Sequence, residues 1–332
     1  MRPAKPLKPI APMRFEPLSP RVPGQGFAAD VRHYLQQQPR QLPSRYLYDD
    51  LGSALFEAIC RLPWYPLTRA ELRLLESHAR DILDEETTTI VELGPGSGEK
   101  LSALIAGAGD HRGRLDLHLV DVSGAALAQA ASVLERHPDV RVVPHRATYE
   151  TGLRDVGHAP STGRRLALFL GSNLGNFDPP GREAFLAAIR SSLDRGDGLL
   201  LGVDLVKPAA DLLLAYDDPL GVTAAFNRNL LARINREMGG DFDLPGFEHR
   251  AIWNEACSRI EMHLRSRWSQ RISVRASDLT FVMEAGETIW TESSYKYRPP
   301  EIGALLESKG FAVRRLWIDA IDRFALTLAE AV

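Results

Sequence analysis

Near its C-terminal end the chain reads GETIWTESSYKY, from Gly286 to Tyr297. Side chains of a strand alternate between two faces, so Trp290, Glu292, Ser294 and Lys296 are expected on one side. An indole, a carboxylate, a hydroxyl and an ammonium then share one patch. Two readings of that patch stand open. In the first it is a solvated sheet surface on which Glu292 and Lys296 form an exposed ion pair, worth little. In the second it is a pocket built to hold something small and polar.

A second group of residues has the spacing of a cofactor turn. VELGPGSGEK places Gly94, Gly96 and Gly98 after a β-branched run and before a helical one. Glycines permit a tight turn and a close approach of backbone to ligand. The spacing is G-x-G-x-G, and Glu99 stands where the third glycine of a dinucleotide turn would be. This favours an S-adenosylmethionine turn over an NAD turn; a βα turn with no ligand is the plain alternative. Asp121 ends the next strand, in LHLVDVS, where an acid can accept from both hydroxyls of a ribose. Its alternative is a helix cap, but Ser123 is available for that. Turn and acid lie at the carboxyl ends of adjacent strands, so an adenosine-containing cofactor is favoured.

These residues need a scaffold, and the pattern supplies one. Helical periodicity dominates from Phe27 to about Leu83. In PLTRAELRLLESHARDIL, Thr68 and Glu71 have the spacing of a capping box. From residue 88 strands and helices alternate: TTIVEL, LDLHLVDVS, VRVVPH, RLALFLGSN and GDGLLLGVDL are strands, with helical runs between most of them. That rhythm predicts a parallel sheet covered on both faces. After Val206 come two helical runs and then long alternating strands, including SRIEMHLRSRW, where Ile260, Met262 and Leu264 oppose Arg259, Glu261, His263 and Arg265. A helix at PPEIGALLESKG and two closing strands finish the chain. The expected organisation is a proline-rich arm at 1–26, a substrate domain from 27–69 plus 206–296, and a Rossmann-like domain from 70–205 plus 297–332. A cleft between two such units is a favoured small-molecule site.

Composition narrows the class. The 332 residues are 44% apolar and 25% charged, ordinary for a globular protein. A net charge of −3 exerts no pull toward nucleic acid or an anionic membrane, so neither is expected as a partner. Two cysteines are too few for a disulfide framework, and the nine histidines include no HxxxH pair, so no metal site is expected. There is no apolar run long enough to span a membrane and no signal-peptide core near the start. A cytoplasmic monomer is expected.

Taken together, RYLYDDLGSALFEAICRLPWYPLTRAE, VELGPGSGEK, VDVS, LFLGSNLGNF, LLLGVDLVKPAADLLLAYDDPLGVTAAFNRNLLARINRE and TESSYKY resemble the histidine-specific methyltransferases of ergothioneine biosynthesis. The resemblance covers the chain from about Arg45 onward and leaves out the proline-rich arm. It implies a class I S-adenosylmethionine-dependent methyltransferase sheet with a second α+β substrate-binding domain. It implies trimethylation of the α-amino group of L-histidine to hercynine. The cofactor contacts it implies fall on Gly94, Lys100 and Asp121 and on the pair Thr148 and Tyr149. Threonine at 148 departs from the family's usual acid, and its hydroxyl would be the weaker acceptor. The histidine contacts fall on Tyr65, Asn176, Tyr216, Glu292 and Ser294, with Tyr48 and Met262 lining the pocket.

The chemistry suits these types. Methyl transfer from a sulfonium is an in-line displacement, so the amine must be neutral and aimed at near-attack distance. Asn176 and Tyr216 can donate to the substrate carboxylate, and Tyr65 can contact the amine, directly or through water. Glu292 can accept the imidazole N–H, while the Ser294 hydroxyl serves the other nitrogen. Proton loss is expected to run to water or through a tyrosine hydroxyl, with Tyr65 the catalytic candidate, and not to a dedicated strong base. Each has an ordinary alternative: Asn176 as a helix or turn cap, Tyr216 and Met262 as core. Three other functions remain in competition. One is an N-methyltransferase of this fold acting on another amino acid or an aromatic amine, which would leave Glu292 buried and unpaired. One is a module that binds S-adenosylmethionine without turnover, and the last is an NAD-dependent dehydrogenase.

Overall fold

The computed structural model describes residues 25–109, 114–157 and 163–332. The segment read as an arm lies outside the described residues up to position 24, and the first helix begins at Gln25. Helices α1 (Gln25–Leu35), α2 (Asp50–Cys60) and α3 (Leu67–Ile82) come first, with the short strand β1 (Arg40–Gln41) after α1. The alternating block is β2 (Thr87–Leu93), α4 (Glu99–Ala108), β3 (Leu115–Asp121), α5 (Gly124–Leu134), β4 (Val140–Arg146), α6 (Tyr149–Gly157), β5 (Arg164–Phe169), α7 (Pro179–Ser191) and β6 (Gly198–Asp204). Then follow α8 (Ala209–Tyr216), α9 (Val222–Met238), β7 (Phe247–Asn254), β8 (Arg259–Ser266), β9 (Gln270–Val274), β10 (Leu279–Met283) and β11 (Thr288–Tyr295). The chain closes with α10 (Pro299–Glu307), β12 (Phe311–Asp319) and β13 (Phe324–Ala331).

Among the described residues the alternating block and the last two strands make one seven-stranded sheet, in the order β12-β13-β6-β5-β2-β3-β4. Strands β2 to β6 run parallel, and β13 inserts antiparallel beside β6. This is the doubly wound class I methyltransferase sheet that the alternation and the resemblance imply. Strand β6 is buried along its whole length, as a central strand covered on both faces must be. The strand order reverses between β2 and β5, and the crevice at their carboxyl ends is where such sheets bind ligands.

A second sheet, in the order β1-β11-β8-β7, is set over that crevice, and β9 and β10 form a separate hairpin. Helices α8 and α9 pack on this sheet and α2 packs on α9. Apolar side chains from both sheets merge into one core that includes Leu104, Leu166, Tyr216, Phe226, Met262 and Leu264.

Three local expectations are corrected. The β11–β8 ladder slips at Thr291, so Trp290 pairs with His263 while Glu292 pairs with Met262. Trp290 therefore lies on the opposite face from Glu292, Ser294 and Lys296, where its ring stacks on His263. The Thr68–Glu71 capping box does not form: Thr68 meets the Cys60 thiol, and Glu71 is fully buried elsewhere. Lys296 does not sit in an exposed pair with Glu292, because both side chains are buried.

Candidate active site

The glycine turn leaves β2 with three left-handed residues, Gly94 (φ 74°), Gly96 (φ 53°) and Gly98 (φ 79°). A methyl group at Gly94 would stand 2.7 Å from the Tyr149 hydroxyl, and one at Gly98 would stand 2.9 Å from Ala130 Cα. The turn needs glycine at these points for conformation and for space. Around it stand the other expected cofactor residues. Asp121 ends β3, where one carboxylate oxygen accepts the Ser123 amide at 2.8 Å. Ser123 caps α5 through the Ala126 amide, so the cap does not use Asp121. Burial pushes the Asp121 pKa up despite the backbone amides that face it. Tyr149 opens α6 beside Gly94, and its ring packs on Phe169 and Phe185. Thr148 precedes α6, and its hydroxyl accepts the Thr151 amide at 3.4 Å, as a helix cap.

Lys100, in the first turn of α4, reaches Glu71 Oε2 at 2.7 Å. Burial opposes its charge, but Glu71 outweighs burial and holds the pKa above the ordinary lysine range. Glu71 also accepts the Gly171 amide at 2.9 Å through both oxygens. One buried carboxylate thus ties α3 to the ends of β2 and β5. Glu92, inside β2, is buried with one oxygen unpartnered, and burial pushes its pKa up to about 8. These features fit an adenosyl cofactor bearing a cationic sulfur. Backbone space lies at the turn, a desolvated acid, Asp121, ends the adjacent strand, and an aromatic ring flanks the crevice.

A narrow cavity lies at the end of β5, and one of its lining residues, Asn173, has its Nδ2 3.5 Å from where a methyl group at Gly94 would stand. Its lining includes all seven residues expected to touch substrate: Tyr48, Tyr65, Asn176, Tyr216, Met262, Glu292 and Ser294. They come from distant parts of the chain. Tyr48 and Tyr65 flank α2, and Asn176 ends a 3₁₀ turn after β5. Tyr216 ends α8, Met262 lies on β8, and Glu292 and Ser294 lie on β11. The helix-capping alternative for Asn176 is not the one used, since Asp178 caps α7 through the Gly181 amide.

The electrostatics of the cavity are uneven. Glu292 faces it with no hydrogen bond to its carboxylate from a side chain among the described residues. Burial pushes its pKa up to about 7, partly offset by the Lys296 cation. Tyr48 and Tyr65 are held well above the ordinary phenol range, chiefly by burial, so both stay protonated. Tyr216 Oη lies 2.8 Å from Ser294 Oγ. The peptide oxygen of Tyr216 is 2.8 Å from His249 Nε2, which fixes the end of α8 on β7.

Sequence reasoning missed part of this wall. Phe56 and Phe226 close the aromatic side, and Asn173 and Thr223 add polar groups. Ser172 holds a left-handed φ of 58°, and its hydroxyl accepts the Asp204 amide at 2.9 Å. Glu71 and Asp204 lie behind the site. A signal for Ser172 and Asn173 was present in GSNLGNF, whose small polar residues follow an apolar strand. The two phenylalanines gave none, because they occupy ordinary apolar positions of amphipathic helices.

Comparison with known proteins gives a consistent picture. A family model described as histidine-specific methyltransferase, SAM-dependent, matches residues 27–331. A histidine N-alpha-methyltransferase of Mycobacterium tuberculosis (strain CDC 1551 / Oshkosh) is 45% identical over 303 residues, covering 90% of this chain and 93% of its own. A protein of the same name from Mycolicibacterium smegmatis is 42% identical over 302 residues, with the same two coverages of 90% and 93%. Ergothioneine biosynthesis protein 1 of Schizosaccharomyces pombe is 29% identical over 303 residues, matching 87% of this chain and 38% of its own length.

Proposed function

The chain belongs to the S-adenosylmethionine-dependent, histidine-specific methyltransferases, and on that premise we propose that it methylates the α-amino group of L-histidine three times to give hercynine, in ergothioneine biosynthesis. The observation that carries the substrate assignment is the cavity itself. A desolvated carboxylate and a hydroxyl, Glu292 and Ser294, share one strand face inside it, beside Asn176 and Tyr216 and next to the glycine turn.

S-adenosylmethionine, when bound, supplies a methyl group on a cationic sulfur, already activated for displacement. Asp121 would hold its ribose, Thr148 and Tyr149 would flank its adenine, and Gly94 and Lys100 would face the rest. On the substrate side, Asn176 donates to the α-carboxylate and fixes one end of the molecule, while the Tyr216 hydroxyl stands behind Ser294. Glu292 accepts the imidazole N–H and fixes the other. Between these anchors the amine lies near Tyr65. In the first two transfers the Tyr65 oxygen accepts one amine N–H and so turns the nitrogen lone pair in one direction; the neutral dimethylamine of the third has no N–H and no proton to lose, and the two end anchors alone aim it. With its pKa raised, Tyr65 is a poor base; it orients, and the proton leaves to water. Phe56, Phe226 and Met262 exclude further solvent from the reacting centre. The same reading is of a monomer in the cytoplasm, a reducing compartment with which two unpaired cysteines are in keeping.

The test is mass spectrometry of the purified protein with S-adenosylmethionine and an equimolar mixture of amino acids, with Glu292→Ala run in parallel. Histidine alone should gain three methyl groups, and the variant should lose that selectivity. Methylation of a different amino acid by the wild type would refute the substrate assignment. Absence of all transfer in a protein that binds S-adenosylmethionine would refute the enzymatic reading.

A further inference from the structure

The contact expected at the bare imidazole nitrogen uses the Ser294 hydroxyl, which is bonded to the Tyr216 hydroxyl, and both hydroxyls are engaged from behind by Lys296. Its Nζ donates to Tyr216 Oη at 2.8 Å and to Ser294 Oγ at 3.0 Å. A third contact reaches Asp204 Oδ2 at 3.0 Å. The ammonium thus faces two hydroxyl oxygens, to which it donates, and one carboxylate, with which it forms an ion pair. Lys296 and Asp204 are fully buried. Asp204 ends β6 and Lys296 follows β11, so the pair joins the two sheets directly beneath the cavity floor.

Counting hydrogens gives a direction. An ammonium donates and cannot accept, so each hydroxyl oxygen accepts from Lys296. The two hydroxyls also bond each other at 2.8 Å, which uses one of their two hydrogens. With Tyr216 donating to Ser294, the remaining hydrogen is that of Ser294, and it has the cavity to point into. The floor therefore offers a donor, while ionised Glu292 offers acceptors. A neutral imidazole, with one N–H and one bare nitrogen, satisfies both. An imidazolium, with two N–H groups, turns one of them against a donor.

We propose that Lys296, held by Asp204, is a positioning residue that sets the hydrogen-bond direction of the Tyr216–Ser294 pair, so that the cavity reads the bare nitrogen of a neutral imidazole. The identity of the ring rests on the histidine reading above; the direction of the donor does not.

The experiment is a double-mutant cycle read by calorimetry on the full chain saturated with S-adenosylhomocysteine. The variants are Lys296→Met, Ser294→Ala and both together, titrated with L-histidine. Each single variant should weaken histidine about 10- to 100-fold, the range of a hydrogen bond to a charged or charge-polarised group. The double variant should be no more than about twofold worse than either, because both act through one contact. Affinity for S-adenosylhomocysteine should stay within about twofold of wild type, measured in the same preparations.

Lys296→Met leaves Asp204 with a partner, since Lys207 Nζ lies 2.7 Å from its other oxygen. If it still fails to fold, Lys296→Met with Asp204→Asn removes both charges and takes its place in the cycle. Additive losses, or an equal fall in histidine and S-adenosylhomocysteine affinity, would overturn the proposal and leave the ion pair as a fastener between sheets. If the wild type binds a different amino acid, the histidine reading falls alone. The cycle then runs on that ligand with Tyr216→Phe, and additivity there overturns the role of Lys296. If the wild type binds no amino acid, both readings fall.

Discussion

Glu292 should make histidine binding steeply pH-dependent below neutrality. Burial raises its pKa to about 7 from an ordinary 4.5. The proposed complex needs this carboxylate ionised and the imidazole neutral, so acid removes both partners. Between about pH 8 and pH 6 the ionised fraction of a carboxyl titrating near 7 falls about tenfold, and the neutral fraction of an imidazole near 6.5 falls about fourfold. The product is a loss of about 40-fold in affinity over that interval. Other cavity groups do not blur the result. Tyr48 and Tyr65 are held above their usual range by burial, and Lys296 is held above its own by Asp204, against burial. The assay is titration calorimetry of L-histidine into protein saturated with S-adenosylhomocysteine. Glu292→Gln keeps the shape and an acceptor oxygen but cannot titrate. In that variant only the imidazole contribution, about fourfold, should remain, on top of a weaker affinity at pH 8 by about tenfold or more. Equal pH profiles for wild type and variant would refute the assignment of Glu292 to the ring.

Further expectations concern the cofactor turn and its supports. Asp121→Ala should weaken S-adenosylhomocysteine about 10- to 100-fold in a calorimetric titration while thermal stability holds; an unchanged affinity would place the ribose elsewhere. Gly202→Ala puts a methyl group 1.9 Å from Glu71 Oε1. Displacing that buried carboxylate from Gly171 and Lys100 should cost about 3 kcal/mol in urea unfolding. A loss below about 1 kcal/mol would mean that the Glu71 contacts are dispensable. Glu92 keeps its proton up to about pH 8 in the fold, whereas the unfolded chain releases it near 4.5. The native state therefore binds more protons across that window, and stability falls as pH rises through it. Glu92→Gln should remove that fall, gaining a few kcal/mol over wild type at about pH 8 and little at about pH 5, by urea melts at the two values.

The alternation of strands and helices was readable because buried parallel strands are apolar runs and helices carry a 3.6-residue stripe. Thus β2 to β6 and α4, α5 and α7 stand where the pattern put them. Helix α6 was not readable: YETGLRDVG is short and glycine-bearing, with a polar outer side. The capping-box motif misled for a different reason. Spacing at Thr68 and Glu71 reports local possibility, and a tertiary partner, the Gly171 amide, took the carboxylate instead. Lys296 illustrates the limit most clearly. Alternation assigns a side chain to a face but does not say what covers that face. An ammonium two residues past a hydroxyl reads as solvated until Asp204, from β6, is brought beneath it. Nor does a sequence reveal a bulge: strict alternation groups Trp290 with Glu292, and the slipped ladder separates them.

That slip determines which changes in length the gene can absorb. Thr291 is the supernumerary residue, and its hydroxyl donates to the Met262 peptide oxygen at 3.0 Å. Excising its codon would leave Trp290 opposite His263 and Glu292 opposite Met262, the partners they already have. Excising one codon between 292 and 295 would instead invert the remainder of the strand and send Ser294 or its neighbours to the far face. Strand β11 is therefore written in two phases, with a single spacer as the punctuation between them. In a deletion scan scored by histidine methylation, position 291 should be the tolerant gap in an otherwise intolerant strand, and equal sensitivity at 291 would refute this.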